Sequence, residues 1–398
     1  MKKIALVAAV FAVFACSPAA KDPVTPVPDD PTPVTPEDPT PEDPTPEEPT
    51  VTVPAFAKGA DIGWASEMEA GGRKFVKKDG TSAALLDVLK DCGINAIRLR
   101  VWVNPYKGWS GKEDVVAVGK KVTAAGLPLM VDFHYSDFFA DPSRQKIPAA
   151  WEADSGDMDK MCQHVTDHTT EVLKALTDAG VSVNWIQIGN ETRGGMLFPL
   201  GQLIYSNKGS EFAGFVKLYN AGFNAAKAVC PKALVMPHID KAFDASNDTW
   251  WLTNFKNQGG KFDMVALSHY PQESWDGNTQ LDANTANTRA IANIRSLHNT
   301  LKVPIMVSEV GVKTPAGEAT AKQVLKAFVD ELKQVEGCAG VFYWEPEVDG
   351  SWRPEVYTKP TELTRLTGVT QSGWWNAYGQ GAFTTGGKPT SVLDVFAD

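Results

Sequence analysis

Two glutamates each end an otherwise apolar run of the sequence. WIQIGNE ends at Glu191, and VPIMVSE ends at Glu309. A pair of carboxyl groups suits the hydrolysis of a glycosidic bond, because one acid protonates the leaving oxygen while the other carboxylate attacks the anomeric carbon. A separation near ~5 Å would select the retaining, double-displacement route. The pair therefore predicts a glycosidase, although either glutamate alone could be a solvated or ion-paired surface residue.

Two further polar residues suggest how the glutamates divide the work. Asn190 precedes Glu191, and its amide is expected to bind a sugar 2-hydroxyl more strongly in the transition state. Arg98 is expected to lie beside Glu309 and keep it ionised as the nucleophile, while Glu191, in drier surroundings, holds its proton as the acid. A structural ion pair inside the fold is the other interpretation of Arg98.

The elements that must position these residues alternate regularly between strands and helices. Several helices are expected to end at a glycine directly before the next strand, as at Gly93 and Gly126. Strands that are apolar on both faces and joined by helices must be parallel and buried, so eight of them predict an α/β fold, the (β/α)8 TIM barrel. An open doubly wound sheet is the alternative, but no G-x-G-x-x-G follows any strand. The eight predicted strands are AKGADI, INAIRLRVWV, LPLMVDFHY, VNWIQIGNE, KALVMPHID, FDMVALSHY, VPIMVSEVG and AGVFYWEPE.

Polar and aromatic residues follow most of these strands, and in a barrel the strand ends converge on one cleft. Sugar rings present apolar faces that stack on aromatic side chains, and all twelve tryptophans lie after residue 60. Trp344, at the end of the last strand, is the preferred stacking platform. Trp102 is a weaker candidate that is as compatible with packing, and the same holds for Trp250, Trp251, Trp275, Trp352, Trp374 and Trp375.

The N-terminus predicts export and anchoring. Residues 1–15 resemble a lipoprotein signal peptide that ends before Cys16, the expected lipidation site, although simple secretion is the alternative. Residues 16–54 are rich in proline and acidic residues and predict a disordered stalk. Residues 55–398 then form one catalytic barrel. The expected location is the bacterial outer membrane or cell surface, with the lipid anchor as the membrane contact.

Charge and cysteine usage exclude several other functions. The net charge is −10, but residues 1–50 hold three lysines and nine acidic residues, which leaves about −4 for the rest. A nearly balanced domain argues against a nucleic-acid partner and suits a neutral polysaccharide. A monomer is expected. Cys92, Cys162, Cys230 and Cys338 form no C-x-x-C pair and are expected to stay unpaired. No cofactor or metal is predicted; a structural calcium is conceivable but has no matching ligand spacing.

From Lys58 to the C-terminus, the sequence resembles the arabinogalactan endo-β-1,4-galactanases of glycoside hydrolase family 53. The segments that show this resemblance are KGADIGW, DGTSAALLDVLKDCGINAIRLRVWVNP, DFHYSDFFADPSRQKIPAAW, IQIGNETRGGMLFP, FDMVALSHYP, VSEVG and FYWEP. The resemblance implies a retaining (β/α)8 enzyme with Glu191 as acid/base and Glu309 as nucleophile. One departure is Phe139, where family members often have tryptophan. The implied sugar contacts are Asp61, Arg98, His134, Asn190, His238, Asp240, Tyr270 and Trp344.

The sequence thus predicts an endo-acting hydrolase of the β-1,4-galactan side chains of pectin. A hydrolase of the same clan that cleaves another β-1,4-glycan is one alternative. A non-catalytic surface lipoprotein that captures glycans is the other, and the stalk and the tryptophans fit it equally well. The two glutamates favour an enzyme, since a binding protein needs no proton donor opposite a nucleophile.

Overall fold

The computed structural model of the protein describes residues 51–206, 209–369 and 379–397. The predicted signal peptide, Cys16 and the predicted stalk up to residue 50 lie outside the described residues, as do Trp374 and Trp375. The boundaries at residues 15 and 54 therefore stay predictions. Within the described ranges, no helix is both long enough and apolar enough to cross a membrane.

Nine parallel strand segments form a nearly closed barrel. The fifth strand consists of two segments on either side of Pro237, which has no N–H to donate to a sheet. One segment pairs with β4 and the other with β6, so the ring continues through the interruption. This confirms the parallel barrel predicted from the sequence. The strands are β1 (Ala57–Asp61), β2 (Ala96–Val101), β3 (Leu129–Phe133), β4 (Val183–Ile188), β5 (Leu234–Met236 and His238–Ile239), β6 (Val265–His269), β7 (Ile305–Val310) and β8 (Cys338–Trp344).

Helices follow the strands and cover the outside of the barrel. After β8 the chain forms a short 3-10 turn, Ser391–Phe396, which packs against the last barrel helix where an eighth helix would lie. The helices are α1 (Ala65–Ala70), α2 (Leu85–Asp91), α3 (Lys112–Ala124), α4 (Met158–Asp178), α5 (Ala213–Val229), α6 (Ala245–Asn257), α7 (Ala283–Leu301), α8 (Glu318–Leu332) and α9 (Pro360–Thr367). Short antiparallel pairs join Phe75–Val76 to Ser82–Ala83, Gly195–Met196 to Gly201–Gln202, Ile204–Ser206 to Gly209–Glu211, and Trp275–Asp276 to Thr279–Gln280.

The inside of the barrel has an apolar layer below a polar layer. Side chains alternate along a strand, so residues two apart point to the same side. The apolar layer includes Ala57, Ala96, Met130, Trp185, Met236, Ala266, Met306 and Phe342. It is tightly filled: a Cβ on Gly59 would lie 2.0 Å from the Phe342 ring. Two positions further along six of these strands come Arg98, Asp132, Gln187, His238, Ser268 and Trp344, which form the polar layer.

An irregularity in β7 determines which residue of that strand joins the polar layer. Regular alternation from Met306 would bring Ser308 to the inside. The register shifts between Val307 and Val310, and Glu309 lies opposite Ser268 on β6. The glutamate therefore reaches the barrel interior because the strand departs from regular geometry.

Candidate active site

Arg98 is the electrostatic centre of the polar layer. Its guanidinium ion-pairs with Asp61 at 2.6 Å, with Asp132 at 2.8 Å and with Glu309 at 2.9 Å. Burial opposes the charge, but the three carboxylates outweigh it and raise the pKa of Arg98 above its ordinary value. Arg98 thus stays charged beside Glu309. Arg98 therefore forms the structural ion pairs of one interpretation and also the contact with Glu309 that the catalytic interpretation requires.

Glu309 is almost fully buried, at 5% exposure. The Tyr270 hydroxyl donates to its Oε2 at 2.8 Å. Burial raises the pKa of Glu309, while Arg98 and the Tyr270 hydrogen bond oppose that rise. The opposition is incomplete because Arg98 shares its charge with Asp61 and Asp132, which themselves repel a negative Glu309.

Glu191 lies directly beyond the end of β4 in a left-handed backbone conformation, with φ of 47°. Its backbone N–H donates to His238 Nδ1 at 3.3 Å, which helps to hold this unusual conformation. Burial in the cleft, followed by the negative charges of Glu309 and Asp240, raises the pKa of Glu191 well above the ordinary value. The proton of the pair therefore resides on Glu191.

The two carboxyl groups lie close together. One oxygen of Glu191, one oxygen of Glu309 and one ring nitrogen of His238 are all within 4.8 Å of one another. Glu191 is more exposed than Glu309. The expectation that Glu191 has the drier surroundings is therefore wrong. What separates the two acids is their partners, since Arg98 ion-pairs with Glu309.

A cavity of about 700 Å³ opens above this pair. Most of the residues implied as sugar contacts line it together with the two glutamates: Asp61, Arg98, His134, Asn190, Tyr270 and Trp344. Phe139 lines it too, so an aromatic ring does occupy the position of the family tryptophan. Charged and polar residues that the sequence reasoning did not single out complete the wall, among them Asp141, Arg144, Glu273, Lys313 and Gln380.

Three predicted contact residues, Trp102, His238 and Asp240, are not among those that line this cavity. Trp102 is 2% exposed and packs edge-on against Phe139 at 5.1 Å. His238 is fully buried, and Asp240 is ion-paired with Arg193. Trp102 and His238 instead contact lining residues, Phe139 and Glu191 respectively.

Trp102 belongs to an aromatic box around a second buried arginine. Arg100 ion-pairs with Glu345 at 2.6 Å. Its guanidinium carbon lies 4.2 Å from the ring centre of Trp64, 4.6 Å from that of Trp102 and 4.8 Å from that of Phe139. These are cation–π distances, so the box fixes the Phe139 ring that faces the cavity.

Asp132 and Gln187 are the main site residues that the sequence reasoning missed. Asp132 accepts from Arg98 at 2.8 Å, from Gln187 Nε2 at 2.5 Å and pairs with His134 Nε2 at 2.9 Å. A signal for both was present. Each lies two positions after a large apolar residue of its strand, Met130 or Trp185, and alternation therefore directs it inward.

Glu191, His238 and Glu309 have the donor types and proximity of a metal site. Both nitrogens of His238 are nevertheless engaged, Nε2 with Ser268 at 2.7 Å and Nδ1 with the Glu191 N–H. Glu309 is engaged by Arg98 and Tyr270. Protein contacts thus occupy these ligand atoms, and we assign no metal here. Cys92, Cys162 and Cys338 are free cysteines.

Comparison with known proteins agrees with this geometry. The sequence model of the family described as glycosyl hydrolase family 53 matches residues 57–396. The chain belongs to this family. An arabinogalactan endo-β-1,4-galactanase of Humicola insolens is 30% identical over 315 residues, which cover 73% of this chain and 89% of that protein.

Two solved structures of similar proteins share the fold. A structure from a study of two fungal β-1,4-galactanases has a TM-score of 0.68 and 25% identity, over 86% of this chain and 99% of that one. An Ignisphaera aggregans catalytic domain of family 53 has a TM-score of 0.69 and 25% identity, over 86% of this chain and 95% of that one. The family member described here is therefore a glycosidase with the expected architecture.

Proposed function

We propose that this glycosidase is an endo-β-1,4-galactanase that acts on galactan or arabinogalactan side chains of pectin with retention of configuration. The observation that supports this mechanism most directly is that one carboxyl oxygen of Glu191 and one of Glu309 lie within 4.8 Å of each other. Retaining enzymes hold their carboxyl groups about 5–5.5 Å apart, whereas inverting enzymes leave about 6.5–9.5 Å for a water molecule. The endo mode and the galactan substrate are supported by the similarity to the Humicola insolens arabinogalactan endo-β-1,4-galactanase and to the fungal β-1,4-galactanases.

The first half of the reaction uses both acids at once. Glu191 gives its proton to the glycosidic oxygen, and a Glu309 oxygen bonds to the anomeric carbon as the bond to the leaving chain breaks. The product chain leaves with the proton, and the remaining chain is held as an ester on Glu309. The raised pKa of Glu191 supports its role as the donor, and Arg98 supports the ionised nucleophile.

The second half reverses the roles. Glu191, now a carboxylate, takes a proton from water while the water oxygen bonds to the anomeric carbon. The ester bond breaks, and its electron pair returns to Glu309 beside Arg98 and Tyr270. Two displacements on opposite faces leave the configuration as it began. Asn190, His134 and Trp344 line the cavity and are expected to orient the sugar.

The direct test is product analysis on purified β-1,4-galactan. We expect the wild-type protein to release galacto-oligosaccharides of several lengths from the start, as an endo mode requires. Glu191→Ala and Glu309→Ala should each lose several orders of magnitude in rate with little loss of stability. Hydrolysis of mannan or cellulose in place of galactan would assign the protein another substrate specificity. Binding of galactan without turnover would refute the proposed enzymatic activity.

We also propose that the protein is exported, lipid-anchored through Cys16 and monomeric, with residues 16–54 as a stalk from the bacterial outer membrane or cell surface. The apolar leader and the proline-rich, acidic composition support this. Cys16→Ser should release the protein from membranes of cells that express the full chain. Equal membrane retention of both forms after fractionation would contradict the anchor.

A further inference from the structure

Ser268 lies on β6 beneath the two catalytic carboxyl groups. It is buried, and its Oγ is 2.7 Å from His238 Nε2 and 3.5 Å from Glu309 Oε2. Hydrogen bonding by Ser268 also opposes the rise in the pKa of Glu191 that burial causes. A single hydroxyl group thus faces the ring of His238 and both acids of the proposed mechanism.

The hydrogen bonds of His238 determine where the serine proton points. The Glu191 N–H at 3.3 Å and the Gln187 side-chain amide at 2.9 Å both donate to Nδ1. The one hydrogen of a neutral ring therefore resides on Nε2 and points at Ser268. Burial, followed by the charge of Arg98, lowers the pKa of His238 well below its ordinary value, so the ring stays neutral.

A hydroxyl group has one hydrogen to donate and can accept others. Because the His238 Nε2–H already donates to Ser268 Oγ, the serine hydrogen has to point elsewhere. The acceptors within reach are the carboxyl groups of Glu309 and Glu191. Burial of the site makes an unused donor costly, so the hydrogen is directed to whichever acid carries the negative charge.

We propose that Ser268 is a positioning residue whose hydroxyl hydrogen, held in the cleft by His238, turns from Glu309 to Glu191 as the negative charge moves between them. Before the first displacement Glu309 is the anion and receives the hydrogen bond. In the ester intermediate Glu191 is the anion and receives it. No proton leaves Ser268; only the O–H bond rotates. This inference rests on the proposed double displacement, in which each acid is ionised in turn.

Other charged groups also act on the pair, and all of them remain in place when Ser268 is changed. Arg98 from β2 and Tyr270 from beyond β6 contact Glu309 directly. The remaining titratable groups that face the two acids are Asp61 on β1, Asp132 and His134 at the end of β3, Asp141 in the following loop, and His238 and Asp240 on and beyond β5.

The first test compares the pH profiles of wild type, Ser268→Ala and Ser268→Thr. Ser268→Ala removes the hydrogen that is donated to the first acid to ionise, so the acid limb of the activity profile should move to higher pH. The alkaline limb should stay in place, because one hydrogen cannot be donated to both carboxylates at once. A hydrogen bond to a charge corresponds to a shift of roughly one pH unit. We expect kcat to fall with little change in KM, since Ser268 is not among the cavity-lining residues. Threonine keeps the hydroxyl and should restore the profile.

Ser308→Ala is the matched control. Ser308 is equally buried, is adjacent to Glu309 in sequence, and its Oγ has no hydrogen-bond partner among the described residues. Its removal should leave both limbs in place. Equal effects of Ser268→Ala and Ser308→Ala, or an acid limb that stays fixed in an active Ser268→Ala protein, would overturn the proposal.

A second measurement does not depend on activity. Carbon-13 NMR titration of the glutamate carboxyl groups, assigned with Glu191→Gln and Glu309→Gln, should show the lower of the two apparent pKa values raised in Ser268→Ala. Nitrogen-15 NMR should find the His238 hydrogen on Nε2. A hydrogen on Nδ1, facing Asn190 Oδ1 at 3.0 Å, would draw the serine hydrogen to the ring and refute the inference. Lack of hydrolysis by the wild type would instead refute the proposed function.

Discussion

Tyr270→Phe isolates one contact of the proposed nucleophile. The variant removes the hydroxyl that donates to Glu309 Oε2 at 2.8 Å and keeps the ring that lines the cavity. A hydrogen bond to a charged group contributes about 1.5–3 kcal/mol. Since about 1.4 kcal/mol corresponds to one pKa unit, its loss should raise the pKa of Glu309 by roughly one to two units. Glu309 must be ionised to attack, so the acid limb should move to higher pH by that amount.

The assay is the pH dependence of kcat/KM, which reports the ionisation of the free enzyme. Tyr219→Phe is the control, because Tyr219 is buried and its hydroxyl has no hydrogen-bond partner among the described residues. That change should leave the acid limb where it is. If the acid limb of the Tyr270→Phe profile coincides with that of the wild type while the variant remains folded, the hydroxyl does not stabilise the charge of Glu309. That result would refute the role given to Tyr270.

Three further predictions concern the stability of the fold. Arg98→Met leaves three buried carboxylates without their cation and should lower the free energy of unfolding by about 3–5 kcal/mol in urea titrations; an unchanged midpoint would contradict the ion-pair geometry. Burial raises the pKa of Glu347 to about 8, so wild type should lose stability relative to Glu347→Gln by about 1.4 kcal/mol per pH unit from roughly pH 4.5 towards 8. A difference in the free energy of unfolding between the two proteins that is the same at pH 5 and at pH 8 would refute this. Gly59→Ala should cost about 1–3 kcal/mol, because its Cβ meets the Phe342 ring at 2.0 Å. Thermal melts should show this loss, whereas Gly156→Ala, with open space around its Cβ, should be neutral in them.

The barrel and the strand ends were predictable because alternation and helix spacing are local signals. Apolar strands interrupted by helices require a parallel sheet. Arg98 lies within such a strand, and His134 and Glu191 follow the ends of two others. The same alternation could also have identified Asp132 and Gln187, each two positions after an apolar core residue.

Other features depend on geometry that no local pattern encodes. The irregularity of β7 brings Glu309 inward in place of Ser308, and periodicity alone favours the serine. Trp102 ends its strand as a sugar-binding tryptophan might be expected to, yet it packs around Arg100 because three aromatic rings converge there from separate segments. The loops after β6, β7 and β8 contribute Glu273, Lys313 and Gln380 to the cavity wall, and their placement depends on tertiary contacts.

In the proposed mechanism, Glu309 attacks the sugar while Glu191 protonates the leaving group. Its most direct test is to trap the ester intermediate with a 2-deoxy-2-fluoro galactoside that carries a reactive leaving group, and to locate the label by peptide mass spectrometry. We expect one sugar on the peptide that contains Glu309, and no label on Glu309→Ala. A label on another residue, or turnover without a covalent intermediate, would contradict it.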